Sequence, residues 1–177
     1  MNPPNFWDTR YASDEFVYGT EPNGFLRDQA RRLAPGAEVL CLAEGEGRNS
    51  TYLASLGLHV TGVDASHVGM EKVQRLARER QVEVTTVVAD LADYDPLVDR
   101  WDAIVSIFAH LPPPIRIPLR PRLRRALRVG GLFILQHYHP RQLEYRTGGP
   151  SDAAMMSTLE ELEADFAGWD FVHRFEG

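Results

Sequence analysis

Two glutamates alternate with two glycines in LCLAEGEGRNS, residues 40–50, and that pairing limits what the segment can bind. An apolar run, a glycine turn and a stretch able to open a helix form a usual place for backbone amides to close on a nucleotide-like ligand. A dinucleotide fingerprint would read G-x-G-x-x-G or G-x-G-x-x-A, with an acid about 20 residues on for a ribose hydroxyl. Gly45 and Gly47 fit, the third position is Ser50, and Asp64 follows Gly45 by 19 residues. The ribose half of the pattern is present; the pyrophosphate half is doubtful. Each carboxylate about 5 Å from a phosphate charge would cost roughly 3 kcal/mol at an effective dielectric near 20. A positively charged ligand without phosphate avoids that cost. S-adenosylmethionine, an adenosine joined through a sulfonium to an amino acid, is such a ligand. Glu44 and Glu46 then read either as contacts to it or as exposed acids favoured by a helix start.

Few other residues suggest chemistry. Cys41 is the lone cysteine, so no intrachain disulfide can form and a reducing, cytoplasmic setting is expected. In an apolar run it reads as a strand residue. His137, Tyr138 and His139 alternate at the end of a fifth apolar run. A metal there would need a third ligand such as His110, which the spacing does not demand, so none is expected. The arginines from Arg116 to Arg128 read as a solvated helix face. The alternative, an RNA patch, sits poorly with a formal charge of −6. Lys72 is the one lysine among 19 basic residues.

The elements that must position these groups alternate. Strand-like runs at 38–43, 58–63, 83–89, 101–107 and 132–138 are joined by helical spacing at 48–56 and 66–80. A helix at 158–166 and a sixth strand at 170–175 follow. This alternation predicts an α/β fold, a Rossmann-like doubly wound and mostly parallel sheet with helices on both faces. Ligands in such sheets sit beyond the carboxyl ends of the strands. The first three runs end at Glu44–Gly47, Asp64 and Asp90, and the fourth leads into Phe108. A length of 177 residues suits one domain, read as an N-terminal lid or helical segment (1–35) and the Rossmann-like core (36–177). The start, MNPPNFWDTR, lacks the order of a signal peptide, and no stretch of about 18 apolar residues predicts a membrane span.

The segments FWDTRY, VYGTEPN, LAEGEGRN, VTGVDAS, VVADL, WDAIVSIFAHLPP and LRVGGLFILQHYHPRQL occur in the order seen in class I S-adenosylmethionine-dependent methyltransferases. The chain most resembles their small bacterial branch, similar to tellurite-resistance and thiopurine methyltransferases. That resemblance covers about residues 6 to 143. The commoner strand-one sequence in the superfamily is closer to LDLGCGEG, so Cys41 and Ala43 stand in place of an aspartate and a glycine. The resemblance implies that Glu44, Gly45, Gly47, Arg48 and Asn49 surround the methionine part of S-adenosylmethionine. It implies that Asp64, with Ala65 and Ser66 beside it, takes the ribose hydroxyls, and that Ala89, Asp90 and Leu91 meet the adenine. Ile107 and Phe108 would line the methionine side, and Trp7, Arg10, Tyr11 and Tyr18 would fold over as a lid. The three N-terminal aromatics read equally well as core.

Methyl transfer is an in-line displacement that positioning alone accelerates. Soft sulfur, selenium or tellurium nucleophiles need no base. Oxygen or nitrogen acceptors would call on His110 or His137, with Tyr138 also on the substrate side. No separate substrate domain is visible, which favours a small-molecule acceptor over a protein, nucleic acid or membrane. The sequence stops inside the expected sixth strand, before the family's usual seventh, so either the chain is truncated there or a second copy pairs the open edge. Two rival readings remain: an NAD-dependent reductase, and a non-catalytic adenosyl-binding module in which Tyr18, His110 and Tyr138 would pack together with no cavity.

Overall fold

The computed structural model describes residues 6–177. Five parallel strands, β1 (Glu38–Leu42), β2 (His59–Asp64), β3 (Val84–Val88), β4 (Trp101–Ile107) and β5 (Leu127–Gln136), form one sheet in the order β3-β2-β1-β4-β5. The order reverses between β1 and β4, the switch point where doubly wound sheets open a ligand crevice. Before β1 lie α1 (Phe6–Arg10) and α2 (Gly24–Gln29). The crossovers are α3 (Arg48–Ser55), α4 (His67–Glu79) and α5 (Pro113–Ala126), and α6 (Gln142–Tyr145) and α7 (Leu159–Asp165) follow β5.

The central strands are buried along nearly their whole length because helices cover both faces. Val39, Cys41, Leu53, Val73 and Val105 pack together on the α3 and α4 side. Leu40, Leu42, Ile104, Leu119, Leu123 and Phe133 pack on the α5 side. Prolines at the first two positions of α5 fit its start, whereas Pro118 and Pro121 inside it remove two backbone donors.

Three expectations change. Residues 170–175 form no strand: Phe171, Val172 and Phe175 stay exposed, and side chains carry the contacts instead. His173 packs on the Phe25 ring, Arg174 reaches Glu163, and Glu176 accepts the Leu159 amide. A strand needs a backbone partner, and this segment spends its groups on α2 and α7. β5 starts earlier than its apolar run and ends at Gln136, which leaves His137 and Tyr138 just beyond the sheet edge. The arginines from Arg116 to Arg128 are a solvated face only in part: Arg124, Arg125 and Arg128 are exposed, and the others are drawn into contacts. Arg122 donates to the carbonyls of Leu91, Ala92 and Tyr94, Arg124 lies over the Trp169 ring, and Arg116 and Arg120 turn inward.

Candidate functional site

The site grows from the carboxyl edge of β1, β2 and β4. After β1, Ala43 adopts φ 47°, and after β4, Phe108 adopts φ 55°. Left-handed backbone at a residue with a side chain is costly, and such strain gathers at functional sites. Between these bends the glycine loop is held from below. Asp64 Oδ2 accepts the Gly45 amide at 2.9 Å and Oδ1 accepts the Ser66 amide at 2.8 Å. Burial raises the Asp64 carboxyl above its ordinary range, and those amides pull it partly back. Two acceptor positions of the roughly four on a carboxylate are thereby used.

Both loop glutamates turn into the protein, so they are not exposed helix-start acids. Glu44 Oε1 accepts the Ser50 amide at 2.8 Å, capping α3, whose own cap residue Gly47 has no side chain. Burial lifts its pKa to about 7. Glu46 Oε1 pairs with Lys72 Nζ at 2.7 Å, and its Oε2 accepts the Val17 amide. Gly47 permits a close approach of helices: a Cβ there would stand 2.9 Å from the Val73 Cα, at a φ of +94°. At Gly45 a Cβ would meet the Tyr11 hydroxyl at 2.9 Å.

The N-terminal segment is tied across this loop. Asp8 accepts the Ser66 hydroxyl at 2.6 Å and the Val68 amide at 3.2 Å. Arg75, Lys72 and Arg80 donate to the carbonyls of Asp14, Glu15 and Thr20. Asn23 caps α2, donates its amide to Asn49 and its side chain to Gln136. Tyr11, 4% exposed, is core and lies against Gly45, with Trp7 stacked on it at 5.5 Å. Trp7 and Tyr18 stay exposed, with the Arg10 guanidinium over the Tyr18 ring and Arg48 reaching the Tyr18 carbonyl. Ser66 caps α4 and Ala65 is exposed. Ala89 donates its amide to the Asp64 carbonyl, Leu91 is buried, and exposed Asp90 accepts the Ala92 amide in a local turn.

Past β4 and β5 an aromatic row closes the edge, beside buried Ile107. Phe108 stacks on Tyr138 at 4.6 Å, His110 lies parallel to Tyr138 at 5.2 Å, and His137 sits 4.4 Å from His110. His110 and Tyr138 do pack together, while exposed Tyr18 stands apart from them; of the row only His137 lines a cavity, which lies on the α5 side. His110 donates Nδ1–H to the Met155 carbonyl, leaving Nε2 buried without a partner. Burial lowers its pKa to about 4, and burial with the nearby His110, Arg116 and Arg120 lowers that of His137 to about 3.

Asp8, Asn23, Lys72, Arg116 and Arg120 hold or line the site without having been expected there. Only Lys72 carried a signal, as the one lysine in an arginine-rich chain. The others belong to capping and packing, which residue types do not announce.

Residues 39–131 match the family model described as "Methyltransferase domain". A Bacillus subtilis protein named uncharacterized methyltransferase YbaJ is 28% identical over 106 residues, 59% of this chain and 42% of that one. The structure of the PH0226 protein of Pyrococcus horikoshii is similar at 27% identity and a TM-score of 0.59, covering 68% of this chain and 57% of that one. A Geobacter sulfurreducens S-adenosylmethionine-dependent methyltransferase, solved with S-adenosylhomocysteine, aligns at 25% identity and a TM-score of 0.57, over 72% and 53% of the two chains. TehB from Haemophilus influenzae shares the fold over 98% of this chain and 58% of its own, at 21% identity and a TM-score of 0.74. The chain thus spans well under two thirds of these relatives. With the sheet order, the glycine loop and the Asp64 anchor in agreement, the chain belongs to the methyltransferase-domain family.

Proposed function

We propose that the chain is an S-adenosylmethionine-dependent methyltransferase acting on a small-molecule acceptor. The observation that carries the reading is Asp64, a buried carboxylate at the carboxyl end of β2 that also fixes the glycine-loop amide. Its unused acceptor positions suit a ribose diol; because Glu44 and Glu46 turn inward, their charge no longer argues against a phosphate, and the match to the methyltransferase domain supports the choice of S-adenosylmethionine over a dinucleotide. The donor set therefore fits the cofactor. Asp64, Ala65 and Ser66 would hold the ribose, Ala89, Asp90 and Leu91 the adenine, and the 44–49 loop with Ile107 and Phe108 the amino-acid end. When bound, the sulfonium supplies an activated methyl group. Trp7, Tyr11 and Tyr18 would exclude water from above.

The two histidines bear on the acceptor. A general base works best with a pKa near the working pH. At about 4 and about 3, His110 and His137 are poor bases. An acceptor that arrives already nucleophilic suits them, which favours soft sulfur, selenium or tellurium chemistry and the tellurite-resistance-like branch. The organisation we favour is one domain, a covering segment at 1–35 and a core at 36–177, of which residues 1–5 lie outside those described. A cytoplasmic setting goes with it. β5 is an edge strand, and its unpaired backbone supports a second copy as partner.

Thermal unfolding with S-adenosylhomocysteine, S-adenosylmethionine and NADH tests the proposal. Ligand at 100 times its dissociation constant adds about 2.7 kcal/mol, a rise of several degrees at roughly 2–4 °C per kcal/mol. The adenosyl ligands should produce it and Asp64→Asn should abolish it. A rise with NADH alone overturns the reading.

A further inference from the structure

We propose that the cavity between α5, α7 and the β4 and β5 faces binds the carboxylate of a small organic acid. That this acid is the methyl acceptor rests on the methyltransferase reading; the site itself does not. The cavity, about 40 Å³, lies between α5, the β4 and β5 faces and α7. One water needs roughly 10–15 Å³ by the same measure, so there is room for a group of about three heavy atoms. Leu119, Phe133, Leu135 and Phe166 make most of its wall apolar. The wall also contains Arg116, Arg120 and His137, and each has a buried nitrogen with no partner: Arg116 Nε, Arg120 Nη2 and His137 Nδ1. A buried donor left unmade costs about 1–3 kcal/mol, and the two guanidinium donors belong to side chains that line this cavity, so a small shift of either toward an acceptor held there would satisfy it.

Charge selects its class. Arg120 is neutralised by Asp165. Glu161, also near Arg120, is exposed and turned to the Thr158 amide. Arg116 donates only to neutral groups, the Met156 carbonyl and the Ser157 hydroxyl, and makes no ion pair among the described residues. With His137 neutral, one uncompensated positive charge remains, which suits a monoanion rather than a doubly charged phosphate. Guanidinium forks match carboxylates in shape. The apolar wall favours an organic acid over a hydrated inorganic ion. Leu42, the last residue of β1 before the glycine loop, is part of the same wall, so an acid seated here extends toward the proposed cofactor side.

Arginine Nε–H resonances followed by NMR in the intact chain test the site, with propionate as probe and chloride and propionamide as controls. Propionate should shift the Arg116 Nε–H signal saturably while chloride and propionamide do not. Arg116→Met should weaken propionate by about tenfold or more, while Arg125→Met, an exposed arginine on the same helix, should not. An equal response to chloride, an equal response to propionamide, or no response to any of them overturns the proposal. The wild-type titration decides even if Arg116→Met fails to fold. S-adenosylhomocysteine binding is read separately. Propionate binding without it would leave the site standing and remove the acceptor role, and the reverse would remove the site alone.

Discussion

The two halves of the carboxyl edge treat buried polarity in opposite ways. Around β1 and β2 every acid is answered: Asp64 by two amides, Glu44 by Ser50, Glu46 by Lys72 and Val17, Asp8 by Ser66 and Val68. Beyond β4 and β5, four buried nitrogens, on His110, Arg116, Arg120 and His137, have no partner. The one other such atom among the described residues, Arg75 Nε, lies 4.0 Å from the Glu79 carboxylate. In the first half every acid is anchored within the protein, and Asp64 is the one proposed to keep acceptor positions free for a ligand. The second is built with its hydrogen bonds open. That division is what a shared cofactor loop and a variable acceptor pocket would require.

Breaking the Lys72–Glu46 pair should have the largest effect. Lys72→Met strands a buried carboxylate and should cost about 3–5 kcal/mol in a urea titration, and adding Glu46→Gln should recover most of it. Titration should separate the halves next. Folding raises the Glu44 pKa from 4.5 to about 7, so its contribution is fully present below 4.5 and lost as pH rises through about 7. That slope is of order 3 kcal/mol, and Glu44→Gln should flatten it. His110 and His137 run the other way. Their pKa values fall from 6.5 to about 4 and about 3, so their stability is present above 6.5 and lost as pH drops through those values. His137→Asn should reduce the acid-side loss without touching the Glu44 slope. Asn23→Ala removes the α2 cap and should cost about 1 kcal/mol by thermal unfolding. Arg116→Met should matter least, within about 1 kcal/mol, because Arg116 is half-buried, serves only the Met156 carbonyl and the Ser157 hydroxyl, and its loss strands no opposite charge. A loss near that of Lys72→Met would erase the distinction between the halves.

Much of this was legible in the sequence. The alternation of runs placed the strands and α3 and α4, and the spacing from Gly45 to Asp64 found the one carboxylate that touches the loop. The direction of the glutamates was not legible. Near a glycine turn an acid can face a ligand, solvent or the core, and the choice was made by Ser50 and by Lys72, 26 residues from Glu46. The sixth strand failed although β5 offers a free edge: residue types at 170–175 did not announce that His173, Arg174 and Glu176 would be held by Phe25, Glu163 and the start of α7. The α5 arginines misled for a related reason: spacing on a helix shows which residues share a face, not what lies opposite.

The single lysine has a practical consequence. Apart from the chain's α-amino group, Lys72 is the only amine, and it is 6% exposed beneath residues 15–17. Amine-reactive reagents can modify it only when that segment lifts from the loop. Its labelling rate is therefore a native-state clock for local opening. A ligand that grips the loop should slow that clock without any change in the global unfolding midpoint being needed to detect it.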